Sequence, residues 1–253
     1  MKRSSRLAVL ALVLACTPAV RADEVTVIAP GGIRTAVERL IPAFEKKTGH
    51  KVIATFGSGL ATKAQVIKGD PFDVSIVQQP YPEVLASGHV VASSETPLVS
   101  VAVGIAVRQG QRKPDISSAE AVKRLLLAAK SIAYPNPAEG AAAGVSFDLT
   151  LNQLGIVDQM QSKLVRAQGG AGTMAAVAKG DVELAVTFVS EMQTTPGVEV
   201  VGPLPSDISP PTSMSGFVSV RAKSPEAARA FVQFLASPDA ATVYRSLGMQ
   251  PRR

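Results

Sequence analysis

The stretch Val25-Thr-Val-Ile-Ala-Pro-Gly-Gly-Ile33 decides the fold. It opens as a β-rich run over Val25 to Ile28, turns at Ala29-Pro30-Gly31-Gly32, and continues with Ile33, Val37, Leu40, Ile41 and Phe44 at helical spacing. The same unit follows at once. Lys51 to Phe56 predicts a strand, Gly57-Ser58-Gly59 a turn, Leu60 to Lys68 a helix ended by Gly69, and Asp73 to Val77 a third strand. Strands alternating with helices at this spacing predict an α/β fold with a parallel, doubly wound sheet.

Working outward, Leu98 to Val107 is apolar and extended for longer than one strand needs, as a segment crossing between lobes would be. Beyond it, Ser118 to Ala129 predicts a helix, Ser131 to Tyr134 a strand, and Gly144 to Leu154 a helix closed by Gly155. Arg166 to Gly172 forms another Gly-rich approach, Thr173 to Lys179 a helix and Leu184 to Phe188 a strand. The middle third is therefore a second α/β unit. After the Pro- and Ser-rich run 203–211 and a strand over Phe217 to Val220, Ser224-Pro225 and Ser237-Pro238 each start a helix with a cap residue and Pro at its first position.

At the other end, Lys2, Arg3 and Arg6 precede an unbroken apolar run from Leu7 to Ala15, and Val20-Arg21-Ala22 closes the segment. Residues 1–22 read as a secretory signal peptide, too short to anchor in a bilayer. Cys16, the one cysteine, lies inside it; a lipid-anchored alternative is kept, although Leu14 fits a lipoprotein signal poorly. The exported chain then has no thiol, disulfide or thiolate metal site. Losing Lys2, Arg3, Arg6 and Arg21 lowers the 26 basic residues by four against 20 acidic ones, so a net charge of +6 becomes +2. A nucleic-acid partner loses its electrostatic footing.

The absences narrow the chemistry. His50 and His89 are the only histidines, far apart in polar contexts that predict solvated loops, with no Cys or carboxylate cluster at metal-ligand spacing. No metal or cofactor is expected. No Gly-x-Ser-x-Gly or phosphate-loop sequence appears, and Gly57-Ser58-Gly59 is only a partial dinucleotide fingerprint, since Thr62 replaces its third Gly. What remains is a set of four turns, at Gly31-Gly32, Gly57 to Gly59, Gly140 to Gly144 and Gly169 to Gly172, each between a strand and a helix start. Helix starts carry free N–H groups and the positive end of a dipole, so several converging would cradle an anion.

In order along the chain, Val25 to Ile33, Phe56-Gly-Ser-Gly with Gly69-Asp-Pro-Phe-Asp-Val, Ala142-Ala-Gly with Leu151-Asn-Gln-Leu-Gly, and the tail from Phe231 to Gly248 resemble the periplasmic molybdate-binding proteins. The resemblance implies a two-lobed, type 2 periplasmic binding fold, each lobe a doubly wound, mainly parallel sheet, with lobe 1 at residues 23–105 plus 200–253 and lobe 2 at 106–199. It further implies an exported, periplasmic receptor of an ABC-type importer, acting as a monomer with a membrane permease as partner and a small anion in the inter-lobe cleft.

The family's pocket carries over in part. Its first-turn serine donor corresponds to Gly32, beside Gly31, and its second-lobe tyrosine donor to Phe188. Ser58 survives as a hydroxyl, with backbone donors expected at Gly59, Ala143 and Gly170. A desolvated tetrahedral oxyanion needs most of its hydrogen bonds, so losing two donors counts against it. Arg34 and Lys63 stand just past the first and second turns and either line the cleft or face solvent on their helices. If they line it, an organic carboxylate fits better than molybdate, because an arginine fork matches a carboxylate. The same family resembles aconitate isomerase, which implies a second reading as an enzyme that shifts a double bond in a tricarboxylate. That chemistry needs a proton-transfer group. Lys63, Tyr134 and Tyr81 are the candidates.

Overall fold

The computed structural model describes residues 22–252; the expected signal peptide and Cys16 lie outside the described residues, apart from Ala22. The chain builds two mixed sheets. The first orders its strands β11-β4-β10-β3-β1-β2, with β1 Glu24–Pro30, β2 Lys51–Gly57, β3 Val74–Gln78, β4 Thr96–Val101, β10 Thr212–Val218 and β11 Gln250–Pro251. The second runs β7-β6-β8-β5-β9, with β5 Val103–Arg108, β6 Ile132–Pro135, β7 Leu164–Ala167, β8 Leu184–Phe188 and β9 Val198–Pro203. β1 pairs in parallel with β2 and β3, and β6 with β7 and β8. The crossing strands β10 and β5 enter antiparallel to those sets.

The expected long extended segment is two strands, β4 and β5, that belong to different sheets and break at Ala102. The chain leaves the first sheet there and returns to it between Pro203 and Thr212. All of β5 is thus in the second sheet, so the change of lobe comes a few residues before position 105.

Helices cover both sheets: α1 Arg34–Thr48, α2 Gly59–Lys68, α3 Pro82–Ala86, α4 Ala119–Ala128, α5 Ala142–Gln153, α6 Val157–Met160, α7 Gly169–Lys179, α8 Val189–Met192, α9 Pro225–Leu235 and α10 Pro238–Ser246. On the first lobe, Phe44 of α1 meets Phe231 and Phe234 of α9 at ring separations of 5.0 and 5.5 Å, within the usual aromatic pairing distance. Asp73, buried just before β3, accepts from the Thr26 amide at 2.8 Å, the Thr26 hydroxyl at 2.6 Å and the Lys223 amide at 2.6 Å, and so ties β1, β3 and the chain after β10 together. Of the two expected serine caps near the end, Ser237 accepts from the Ala240 amide, whereas Ser224 makes no cap hydrogen bond because its backbone (φ −126°, ψ 75°) is not in the usual cap conformation.

Candidate functional site

The loops that follow β1, β2, β6 and β7 bring four helix starts to one cleft between the sheets. Its cavity holds about 600 Å³, within the ordinary range of small-molecule sites. Gly31, Gly32, Arg34, Ser58, Gly59, Ala143, Gly170 and Phe188 all line it. Helices α5 and α7 begin without a side-chain cap, which leaves their first amides free to face a ligand; α1 continues from a 3-10 turn over Gly31–Ile33, whose closing bond runs from the Arg34 amide to the Gly31 carbonyl. At α2 the Ser58 hydroxyl oxygen accepts from the Ala61 amide at 3.2 Å, and its own proton stays available to donate.

Gly32 and Phe188, the two positions that depart from the expected pattern, pack against each other. A carbon built on Gly32 would lie 2.8 Å from Cδ2 of Phe188 and 3.3 Å from Cε of Met214, so the phenyl ring fills the space that a serine side chain would use. The Ser190 hydroxyl donates to the Gly32 carbonyl at 2.9 Å, and the Leu60 amide donates to the Gly140 carbonyl at 3.3 Å. Both bonds join the first lobe to the second across the cleft.

Arg34 lies at the cleft with its guanidinium 4.6 Å from the centre of the Phe56 ring and 3.6 Å from Glu38, one turn along its own helix, and stays half exposed. It therefore satisfies both alternatives at once. Lys63 does not line the cleft. Its ammonium donates to the Pro80 carbonyl, because α2 turns this side chain toward the loop after β3, and burial there lowers its pKa against the raising effect of Glu83. Tyr134 is buried against Phe147, and its phenol is shifted up chiefly by desolvation. Tyr81 is spoken for by Glu95 at 2.5 Å and Ser215 at 2.9 Å. None of the three proton-transfer candidates reaches the cavity.

The histidines also differ from expectation. His50 accepts from the Asp23 amide at 3.2 Å and stacks on Phe44, while His89 caps the carbonyls that end α2, so both are partly buried structural groups. Among the described residues no group of three or more His, Cys, Asp or Glu is placed to hold a metal ion, and no helix is long and apolar enough to cross a membrane.

Several lining residues carried no sequence signal. Thr35 adds a hydroxyl in the first turn of α1, and Gln78 at the end of β3 brings its amide against Gly59. Glu191 is the least expected. It sits in α8, immediately after β8, and accepts the Thr187 hydroxyl at 2.5 Å. Desolvation by the walls raises its pKa, opposed by the Thr187 hydroxyl, the Phe188 amide and the charge of Arg34. The uncapped helix starts and Arg34 thus present N–H donors and a positive charge to the same cleft that holds this buried carboxyl. A second cavity of about 620 Å³ runs along the crossing strands by Ala102, but its charged residues Lys113 and Glu199 neutralise each other at 2.9 Å and no helix start of eight residues or more points into it.

Comparison with known proteins agrees with this architecture. The family described as bacterial extracellular solute-binding protein matches residues 25–250. Aconitate isomerase of Pseudomonas sp. is 34% identical over 98% of this chain and 97% of its own length. The molybdate-binding protein of Azotobacter vinelandii is 32% identical over 93% of this chain and 92% of its own. The solved structure of the periplasmic molybdate-binding protein of Azotobacter vinelandii superposes with a TM-score of 0.75 at 20% identity, covering 90% of this chain and all of that one.

Proposed function

This chain belongs to the bacterial extracellular solute-binding protein family, and we propose that it is a periplasmic receptor which closes its lobes on a small organic polycarboxylate and hands it to an ABC-type membrane permease. The observation that carries the ligand class is that Gly32 and Phe188, where the family resemblance implies hydroxyl donors, bring none, and that Arg34, Thr35 and Ser58 remain around a cavity of about 600 Å³. A carboxylate is planar and is met well by an arginine fork and by backbone amides at helix starts. A ligand with two or three such groups can engage both lobes together, which favours the closed form by its differential contacts.

The test is a thermal-shift panel on the mature protein. Citrate and the cis and trans isomers of aconitate should raise the melting temperature more than molybdate, tungstate or sulfate, since a ligand bound only by the folded state stabilises it. Equal or greater stabilisation by molybdate overturns the ligand class.

A second reading, as an isomerase, is favoured by the end-to-end similarity to aconitate isomerase together with an acid–base group inside the cleft. In that reaction a base takes a proton from the methylene carbon, and the electrons of that C–H bond form the new double bond. The former alkene carbon, as its π electrons shift, then receives a proton. With Lys63 turned away, Glu191 and Glu139 are the cleft carboxyls able to carry the proton, Glu191 being the more buried of the two. Proton NMR of cis- or trans-aconitate incubated with the protein distinguishes the readings: interconversion above the protein-free control establishes the enzyme, and a static ratio with saturable binding establishes the receptor.

A further inference from the structure

The Glu191 carboxyl occupies the ground between two of the helix starts that a bound anion would use. One oxygen, Oε2, is held by the Thr187 hydroxyl at 2.5 Å and lies only 2.1 Å from where a carbon on Gly170 would be, so it sits directly over the first turn of α7. The other, Oε1, is 2.6 Å from that same point and 3.8 Å from the corresponding point on Gly31, at the turn into α1 on the opposite lobe. The carboxyl thus lies over the start of α7 and lines the cavity, with Oε1 the oxygen nearer the first lobe.

Few charges act on it. From α1 comes Arg34, whose own carboxylate partner is Glu38; β8 presents the neutral Thr187 hydroxyl and the Phe188 amide, while the turn at Gly31 and the start of α7 present only backbone. Glu139 lines the same cavity from the second lobe, where it accepts from Asn136 at 3.2 Å. On β9, packed behind α8, Glu199 is neutralised by Lys113. One half-exposed arginine does not balance Glu191, Glu139 and an incoming di- or trianion in a cleft that closes away from water. Like charges brought together under those conditions favour protonation of one of them.

We infer that ligand binding is coupled to the uptake of one proton by Glu191, which then donates through Oε1 to a carboxylate oxygen of the bound ligand. The proton comes from solvent and the only bond formed is O–H, with the ligand chemically unchanged. The upward pressure of burial on this group acts in the same direction. The inference rests on the carboxylate reading and adds a pH dependence to it. Above the pKa of Glu191 in the free protein, one linked proton weakens binding by about tenfold for each unit of pH.

The experiment is isothermal titration of the mature protein with citrate and with trans-aconitate, between pH 5.5 and 8.5, in buffers of contrasting ionisation enthalpy. Wild type should take up close to one proton at the alkaline end, where the free ligands are fully ionised, and its Kd should rise about tenfold per pH unit there. Glu191→Gln keeps the shape of the side chain and should abolish that uptake and flatten the profile. Thr187→Val removes the donor that lowers the pKa of Glu191, so the onset of weakening should move to higher pH. Binding without proton uptake, or uptake that persists in Glu191→Gln, overturns the inference while leaving the ligand class standing. Absence of binding by every carboxylate tested defeats the ligand class and this inference with it.

Discussion

Gly32→Ser restores a hydroxyl at the first turn of the cleft, and the geometry predicts that the protein will not accept it. The new Cβ would stand 2.8 Å from Cδ2 and 3.0 Å from Cε2 of Phe188, with Met214 Cε at 3.3 Å. Met214 can give way at its flexible end, but Phe188 is only 3% exposed and sits at the end of β8, so its ring has nowhere to swing. Overpacking of this kind costs about 1–3 kcal/mol. For a chain of this size each kcal/mol lowers the melting temperature by about 2–4 °C, so a fall of about 2–12 °C is expected. The assay is thermal unfolding by circular dichroism on the ligand-free protein, repeated in a Phe188→Leu background. Leucine removes the ring atoms that clash, so the added cost of serine should shrink by about 1 kcal/mol or more, a coupling within the range seen for residues in contact. Additive costs, or a serine tolerated without loss beside the intact ring, would refute the claim that the Phe188 ring closes the space beside Gly32 to a side chain.

Ser58→Ala removes a helix cap and, on the proposed function, a ligand donor, so it should lower ligand-free stability by about 1 kcal/mol and weaken carboxylate binding about tenfold, read by thermal melting and calorimetry respectively. Asp73→Ala takes the carboxylate partner from the partly buried Thr26 and Lys223 amides. At about 1–3 kcal/mol for each unsatisfied donor, its urea midpoint should fall by far more than that of a surface substitution. Glu191 has its pKa raised in the folded state, so its neutral form contributes stability that is fully present below the unfolded carboxyl pKa and lost as pH rises through the folded one. Ligand-free Glu191→Gln should accordingly melt higher than wild type at neutral pH, and the difference should shrink on acidification; a constant difference from pH 4 to 8 would show that the carboxyl is not destabilised by ionising.

Much of the fold was legible because its signals are local. A strand such as β1 declares itself by a β-rich run, and a helix such as α2 by its cap at Ser58 and its Gly69 stop, where the backbone φ of +76° suits glycine. The error at α7 was also local in origin. Gly169 to Gly172 read as a loop before a helix starting at Thr173, yet the helix starts at Gly169, since packing on β6 and β8 holds the glycines helical despite their poor propensity. The break at Ala102 depends on which sheet each half joins, and a continuous apolar run carries no mark of that choice.

The cleft divided along the same line. Backbone donors at helix starts were readable from the turns, because a glycine-rich strand-to-helix junction has few other uses and sequence order fixes which junctions share an edge of the sheet. Side-chain direction was not readable. Arg34 and Lys63 hold similar positions after similar turns, but α1 presents Arg34 to the cleft beside Phe56 while α2 delivers Lys63 to the Pro80 carbonyl. Glu191 shows the limit most sharply. In sequence it is an ordinary acidic residue in the first turn of a short helix, where the helix dipole alone would explain it. Its meaning comes from Gly170, 21 positions earlier, which has no side chain and so leaves the space that its carboxyl fills. On the proposed reading, a cleft that gathers backbone donors and places an acid against them takes up a proton with its ligand, and that arrangement would serve release to a permease and proton transfer within a tricarboxylate equally well.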